Sequence, residues 1–275
     1  MAPVAIITAR IQSMHIASRT EYSVAGAVWR ALFLREATSR LAGGRAAWLW
    51  ILLEPAAHIV FLMVIFGVIR HQVRQGANIE VFVLVGVWGF FLVRNIAQRG
   101  MDAISANQSL FSYRQVQPVD TVLVRATVEA FLYVIVGAVL LAALALLDID
   151  VRPADPLLVM WSAFLLWAFG LGLGLMLSVI GTLLPGLGKL IRIAFTPLYF
   201  LSAVMYSVSS LPLGMRNVVL VNPITHGLEA MRSGWFAAYH GEAHISLGFL
   251  AFWALITVFL GLALHVRYAT RLTAQ

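Results

Sequence analysis

The sequence predicts an all-α integral membrane protein: six transmembrane helices, an amphipathic interfacial helix before the first, and a re-entrant helical region before the last. Three observations predict it. Six apolar stretches are each about 20 residues long or longer, enough for a helix to cross hydrocarbon. The chain is 61% hydrophobic and 11% charged, whereas soluble domains are nearer half apolar and about a quarter charged. The basic residues also gather on alternate connecting segments. In lipid every backbone polar group must be satisfied within its own segment, so the spans are helices.

The spans fall in order near 47–69, 79–98, 121–147, 156–183, 193–211 and 245–266. With the N-terminus inside, the cytoplasmic segments are 1–46, 94–125, 184–192 and 267–275. They hold 14 of the 19 basic residues: Arg10, Arg19, Arg30, Arg35, Arg40, Arg45, Arg94, Arg99, Arg114, Arg125, Lys189, Arg192, Arg267 and Arg271. Arg70, Arg74, Arg152, Arg216 and Arg232 remain for the opposite side, along with the acidic 148–155 loop. Both termini are therefore expected in the cytoplasm. Residues 1–45 contain no apolar run, so no cleavable signal is expected and internal spans drive insertion. The net charge of +7 follows from this orientation, and nucleic acid is not an expected partner.

Before the first span, residues 26–41 place Trp29, Leu32, Phe33, Ala37 and Leu41 on one helical face. Arg30, Arg35, Glu36 and Arg40 take much of the rest. Such a helix sinks its apolar side into the headgroup boundary; the alternative is an ordinary helix packed on a neighbour. Between spans two and three, GMDAISANQSLFSYRQVQPVD is too polar for membrane. Asp102 is placed to cap a short helix there, with Leu110, Phe111 and Tyr113 as its apolar side, and Pro118 ends it before span three. Residues 211–244 are apolar but interrupted by glycine and proline. They read as a re-entrant pair of short helices on the outer side.

Within the spans, Glu54 and His58 lie four residues apart on one helix face, and Glu129 sits in the third span. Ionisable groups at that depth are functional candidates; a Glu54/His58 proton relay competes with plain interhelical hydrogen bonding. Gly170, Gly172 and Gly174 suggest a small-residue face for close helix approach. Trp88, Phe91, Tyr199 and Tyr206 are candidates for an aromatic wall that lets sugar slide. Arg40, Arg45 and Arg94 stand on the cytoplasmic side, and a guanidinium binds phosphate or carboxylate with paired hydrogen bonds.

Other chemistry is excluded. The chain has no cysteine, hence no disulfide or thiolate metal site. No HExxH or GxSxG string occurs. GTLLPGLGKL at 181–190 lacks the spacing of a phosphate loop, so any ATP is bound by another chain.

Five strings then converge on one family. ALFLREATSR, WLWILLEPAAH, ANQSLFSYRQVQPVDTVLVR, PLYFLSAVMYSVSSLP and NPITHGLEAMR occur in order along nearly the whole chain. Together they resemble the membrane subunit of Gram-negative capsular polysaccharide ABC exporters (KpsM type), within the ABC-2 permease class. Ser207 departs from the family pattern, which often carries proline just after the preceding aromatic residue. The resemblance implies a homodimeric pore in the bacterial inner membrane with two cytoplasmic ATPase subunits (KpsT type), which carry ATP and Mg2+. It implies no cofactor on this chain and no catalytic or metal site. It makes 26–41 the interface helix, with Trp29, Arg30, Phe33 and Glu36. It makes 101–113 the coupling helix, with Asp102, Asn107, Leu110, Phe111, Tyr113 and the adjoining Arg114. The cargo would be a lipid-linked capsular polysaccharide, handed to an envelope-spanning periplasmic protein. O-antigen or teichoic acid export, a proton-coupled carrier and a membrane enzyme acting on lipid-linked sugar are the alternatives.

Overall fold

The computed structural model describes residues 21–42, 47–69, 78–113, 115–239, 241–242 and 244–273. Among them there is no strand. The helices run in the order α1 (Glu21–Ala42), α2 (Ala47–Ile69), α3 (Ile79–Met101), α4 (Pro118–Ala145), α5 (Pro156–Leu183), α6 (Leu187–Leu201), α7 (Leu213–Val219), α8 (Pro223–Trp235), α9 (Leu247–Arg267) and α10 (Ala269–Thr273). Short 3-10 turns cover Ser105–Ser112 and Val208–Ser210.

Four of these helices, α3, α4, α5 and α9, are long and apolar enough to cross a membrane. They coincide with the predicted spans two, three, four and six, and α2 coincides with the first. The third begins at Pro118, three residues early. Proline has no N–H to lose in a first turn, and Gln117 and Asp120 close a reciprocal cap around it.

The fifth differs more. A continuous helix over 193–211 is the expectation, whereas α6 starts at Leu187 and stops at Leu201. Its 15 residues reach about 22 Å at 1.5 Å per residue, short of the roughly 30 Å hydrocarbon layer. Ser202 turns its hydroxyl back onto the Leu198 carbonyl at 2.6 Å, and Ala203 enters the left-handed region at φ 54°, so the ladder ends there.

The core forms around α3, whose Val81, Val87, Phe90, Val93 and Ile96 are almost fully buried. It packs on α5, α4, α8 and α2, while α5 also packs closely on α9. The glycines of α5 make this possible, on two faces instead of the single predicted one. Gly170 and Gly174 lie four apart and meet α3; a Cβ added at Gly174 would lie 3.1 Å from the Ile96 carbonyl. Gly172 points the other way, and its Cβ would fall 2.2 Å from Thr257 of α9. Two residues is about half a helical turn, which puts Gly172 on the opposite side.

Helix α1 lies on α4. Leu32, with Val28, Trp29, Phe33 and Ala37 around it, packs against Val124, Val128 and Leu132. The apolar stripe expected to enter lipid therefore faces a protein neighbour along much of its length, while Leu34 and Leu41 stay exposed.

Candidate functional site

Five predicted residues meet at the seam of α2, α3 and α6. Arg94 bonds the Glu54 carboxylate and donates through Nε to Asn95 Oδ1 at 3.1 Å. Its guanidinium lies 4.0 Å above the Phe91 ring, a cation–π geometry. The Phe91 ring in turn touches His58, with centroids 5.2 Å apart. His58 Nε2 and the Tyr199 hydroxyl share a 2.7 Å hydrogen bond. Glu54 and His58 thus each reach a different helix. Both act as interhelical ties. Glu54 is 55% exposed, so this seam is accessible.

Trp88 and Tyr206 do not join it. Trp88 turns toward α4, where its Nε1 donates to the Tyr133 carbonyl at 2.7 Å. There it borders an apolar cavity of about 470 Å³ between α3, α4, α5 and α8. The Tyr206 hydroxyl folds back to the Phe200 carbonyl at 2.6 Å.

A second cluster lies along the first half of α4. Glu129 is 2% exposed and lies between Arg40 at 2.6 Å and Arg99 at 2.9 Å. Arg125 pairs with Glu36 at 3.1 Å and donates to the Arg99 carbonyl. Arg40 is therefore paired with a buried carboxylate. Trp29 Nε1 donates to Asp120 Oδ1 at 3.3 Å, a second tie from α1 to α4. Arg30 is exposed and Arg45 and Arg114 lie outside the described residues.

The segment after α3 is bound into this network. Arg35 bonds the Asn107 side chain, and Asn107 Nδ2 donates to the Ala103 carbonyl at 2.7 Å. Leu110 packs with the α1–α4 cluster, and Phe111 with Ile104, Val179 and Leu272. Those two side chains thus face the protein's own helices. Tyr113 is the exposed aromatic, at 65%. Asp102 does not cap the short turn, which starts after Ile104 with no side-chain cap; both Asp102 oxygens instead accept from Arg192 at 2.7 and 2.9 Å. A carboxylate facing an available guanidinium prefers that charge-assisted bond.

The third cluster was missed in the sequence, where Arg232 counted only as a basic residue of the far side. Arg232 and Glu229 on α8 are both fully buried and 3.0 Å apart. The Arg232 guanidinium lies 3.7 Å over the Phe82 ring. The Tyr239 hydroxyl donates to Glu229 Oε2 at 2.8 Å, and burial with that neighbouring carboxylate pushes the phenol up from its usual range. The available signal was the three-residue spacing of Glu229 and Arg232 on a helix. Among the described residues no cluster of three or more His, Cys, Asp or Glu side chains is arranged to hold a metal ion.

Four helices long and apolar enough to cross a membrane, tied by buried ion pairs, define a multi-pass membrane protein. More particularly, the chain belongs to the ABC-2 type transporter family, which matches residues 27–236. It is similar to the polysialic acid transport protein KpsM of Escherichia coli, at 36% identity over 250 residues, 90% of this chain and 96% of that protein. It is also similar to two capsule polysaccharide export inner-membrane proteins. BexB of Haemophilus influenzae is 29% identical over 256 residues, 92% of this chain and 95% of BexB. CtrC of Neisseria meningitidis is 29% identical over 250 residues, 89% of this chain and 92% of CtrC.

Proposed function

We propose that this chain is the inner-membrane permease subunit of an ATP-driven exporter that moves capsular polysaccharide out of the cytoplasm. The observation that carries this is its similarity, over about nine-tenths of its length, to proteins named for capsule polysaccharide export. Two copies would form the pore, each with six spans: α2, α3, α4, α5, α6 with the chain that follows it, and α9. Both termini would lie in the cytoplasm. α7 and α8 would form the re-entrant pair guarding the outer exit.

ATP and Mg2+ would be bound by two cytoplasmic ATPase subunits. The 3-10 turn after α3 would dock on the ATPase through Tyr113 and the exposed Gln108 and Ser109 beside it. Asn107, Leu110 and Phe111 would pass the push inward, because they join that turn to α1, α4 and α5. The polymer, carried on a lipid anchor, would travel along the α2–α3–α6 seam past Arg94, Phe91 and Tyr199. A guanidinium backed by an aromatic ring suits a phosphate or an acidic sugar. An envelope-spanning periplasmic protein would receive it.

The test is deletion and complementation. Cells lacking this chain should accumulate polymer in the cytoplasm and regain surface capsule when it is restored. Purified chain should support nucleotide-dependent transport in liposomes only together with an ATPase subunit. Transport by the chain alone would reject this reading.

A further inference from the structure

The end of α6 is an unusual place for a helix to stop. A helix terminus leaves carbonyl groups without intrahelical donors, and in a lipid-surrounded bundle each needs another partner. The last carbonyls of α6 are met by Ser202, Tyr206, Asn222 and Thr225, and Arg232 of α8 binds those of the turn that follows. Its Nη1 donates to the Ala203 carbonyl at 2.7 Å and the Tyr206 carbonyl at 3.1 Å, and its Nη2 to the Val204 carbonyl at 2.6 Å. Glu229 balances the charge, and Tyr239 joins Glu229 to Ser207, whose Oγ lies 2.6 Å from the phenol oxygen. Asn222 adds bonds to the Leu201 carbonyl at 3.2 Å and Ser202 Oγ at 2.8 Å. Even α3 is shaped for this joint: a Cβ on Gly86 would stand 2.3 Å from the Val204 carbonyl and 2.5 Å from Arg232 Nη2.

The rest of α6 is held lightly. It buries Phe195 and Tyr199, while Leu190, Ile193 and Phe200 are more than half exposed. At its other end the tie is Arg192 to Asp102, an ion pair with both side chains 46% exposed. Exposed pairs of this kind contribute little and break readily, whereas opening a fully buried, hydrogen-bonded pair strands charges in a low-dielectric interior.

We propose that α6 is a lever that pivots at its outer end, with Arg232 as the positioning residue that forms the pivot. During transport the inner end of α6 would swing relative to α3, while the joint between Leu201 and α8 stays closed. The outer helices would then not open as a lid hinged at 202–212, since that motion would pull the guanidinium off three carbonyls at once. The proposal rests on the exporter reading above.

The chain has no native cysteine, so introduced pairs are unambiguous. Leu201→Cys with Val221→Cys would report on the outer joint, and both positions are exposed. Met101→Cys with Gly188→Cys would report on the inner end, where a Cβ on Gly188 lies 3.9 Å from Met101 Cε. Spin labels on each pair, in the exporter assembled with its ATPase, should show an unchanged outer distance and a changed inner distance when nucleotide is trapped. A short thiol-cleavable cross-linker should leave capsule export intact at the outer pair. At the inner pair it should cut export by about tenfold or more, a change that corresponds to only about 1.4 kcal/mol, and reduction should restore it. An outer distance that changes with nucleotide, an outer tether that blocks export, or an inner tether that does not, would overturn the pivot. Absence of capsule export by the unmodified chain would instead count against the exporter reading, and the nucleotide-dependent distances would still decide the pivot.

Discussion

Arg40 and Glu129 stand 89 positions apart in the chain and 2.6 Å apart in the fold. This contact joins α1 to the middle of α4. Glu129 is almost fully buried, and Arg40 and Arg99 both reach its carboxylate, which offsets the cost of burying it.

Removing one side of such a buried pair leaves an uncompensated charge and costs about 3–5 kcal/mol. Arg40→Ala should therefore lower the thermal denaturation midpoint of the purified protein markedly. Arg30→Ala, at an exposed position of the same helix, should change stability by no more than about 0.5 kcal/mol. Equal midpoints for the two variants would show that the α1–α4 tie is not stabilising.

The two aromatic residues of the segment after α3 should separate by experiment. Phe111 packs against Ile104, Val179 and Leu272, so Phe111→Ala should cost up to about 3 kcal/mol of stability. Tyr113 is exposed, and Tyr113→Ala should leave the midpoint unchanged while weakening co-purification of the ATPase. Full retention of the ATPase by Tyr113→Ala would remove Tyr113 from the docking surface.

Arg94 makes a further prediction. A charge-assisted hydrogen bond is worth about 1.5–3 kcal/mol, so Arg94→Ala should reduce export by about tenfold or more while the protein still inserts. Arg94→Lys keeps the charge but loses the planar fork and should fall between the two. Wild-type export by both variants would reduce Arg94 to a topology signal.

His226 sets a pH dependence. Its Nε2 bonds the Leu220 carbonyl at 2.8 Å and its Nδ1 accepts from the Ser246 N–H at 3.0 Å, an arrangement that needs the neutral ring. Burial holds its pKa below the usual 6.5. The unfolded chain then binds the proton more readily than the folded one. The histidine's contribution is complete above pH 6.5 and is lost as the pH falls from there through the lower folded value. The denaturation midpoint should drop below about pH 6.5, and His226→Gln should remove that part of the drop. An unchanged pH profile in the variant would assign the dependence to other groups.

Most spans were legible because they are a property of composition along the chain. An uninterrupted apolar run has few ways to be stable except as a helix in lipid, and α2, α3, α5 and α9 begin within about two residues of expectation. The four-residue spacing of Glu54 and His58 correctly placed both on one face. It did not tell that Arg94 and Tyr199 would be their separate partners, 40 and 141 positions away. The path residues divided in the same way. Phe91, Arg94 and Tyr199 converge, while Trp88 turns toward α4.

Local pattern in the sequence determined the class of protein, the length and order of its long helices, and the asymmetric placement of its arginines, because each depends on residues within one helix or one loop. Only the tertiary structure decided that α6 stops at Leu201, that Arg40 is held by Glu129, and that Arg232 binds the turn after α6, about 30 positions earlier in the chain. Those outcomes depend on which polar groups become neighbours after the apolar helices have packed. A buried charge takes whatever partner the folded bundle puts within reach.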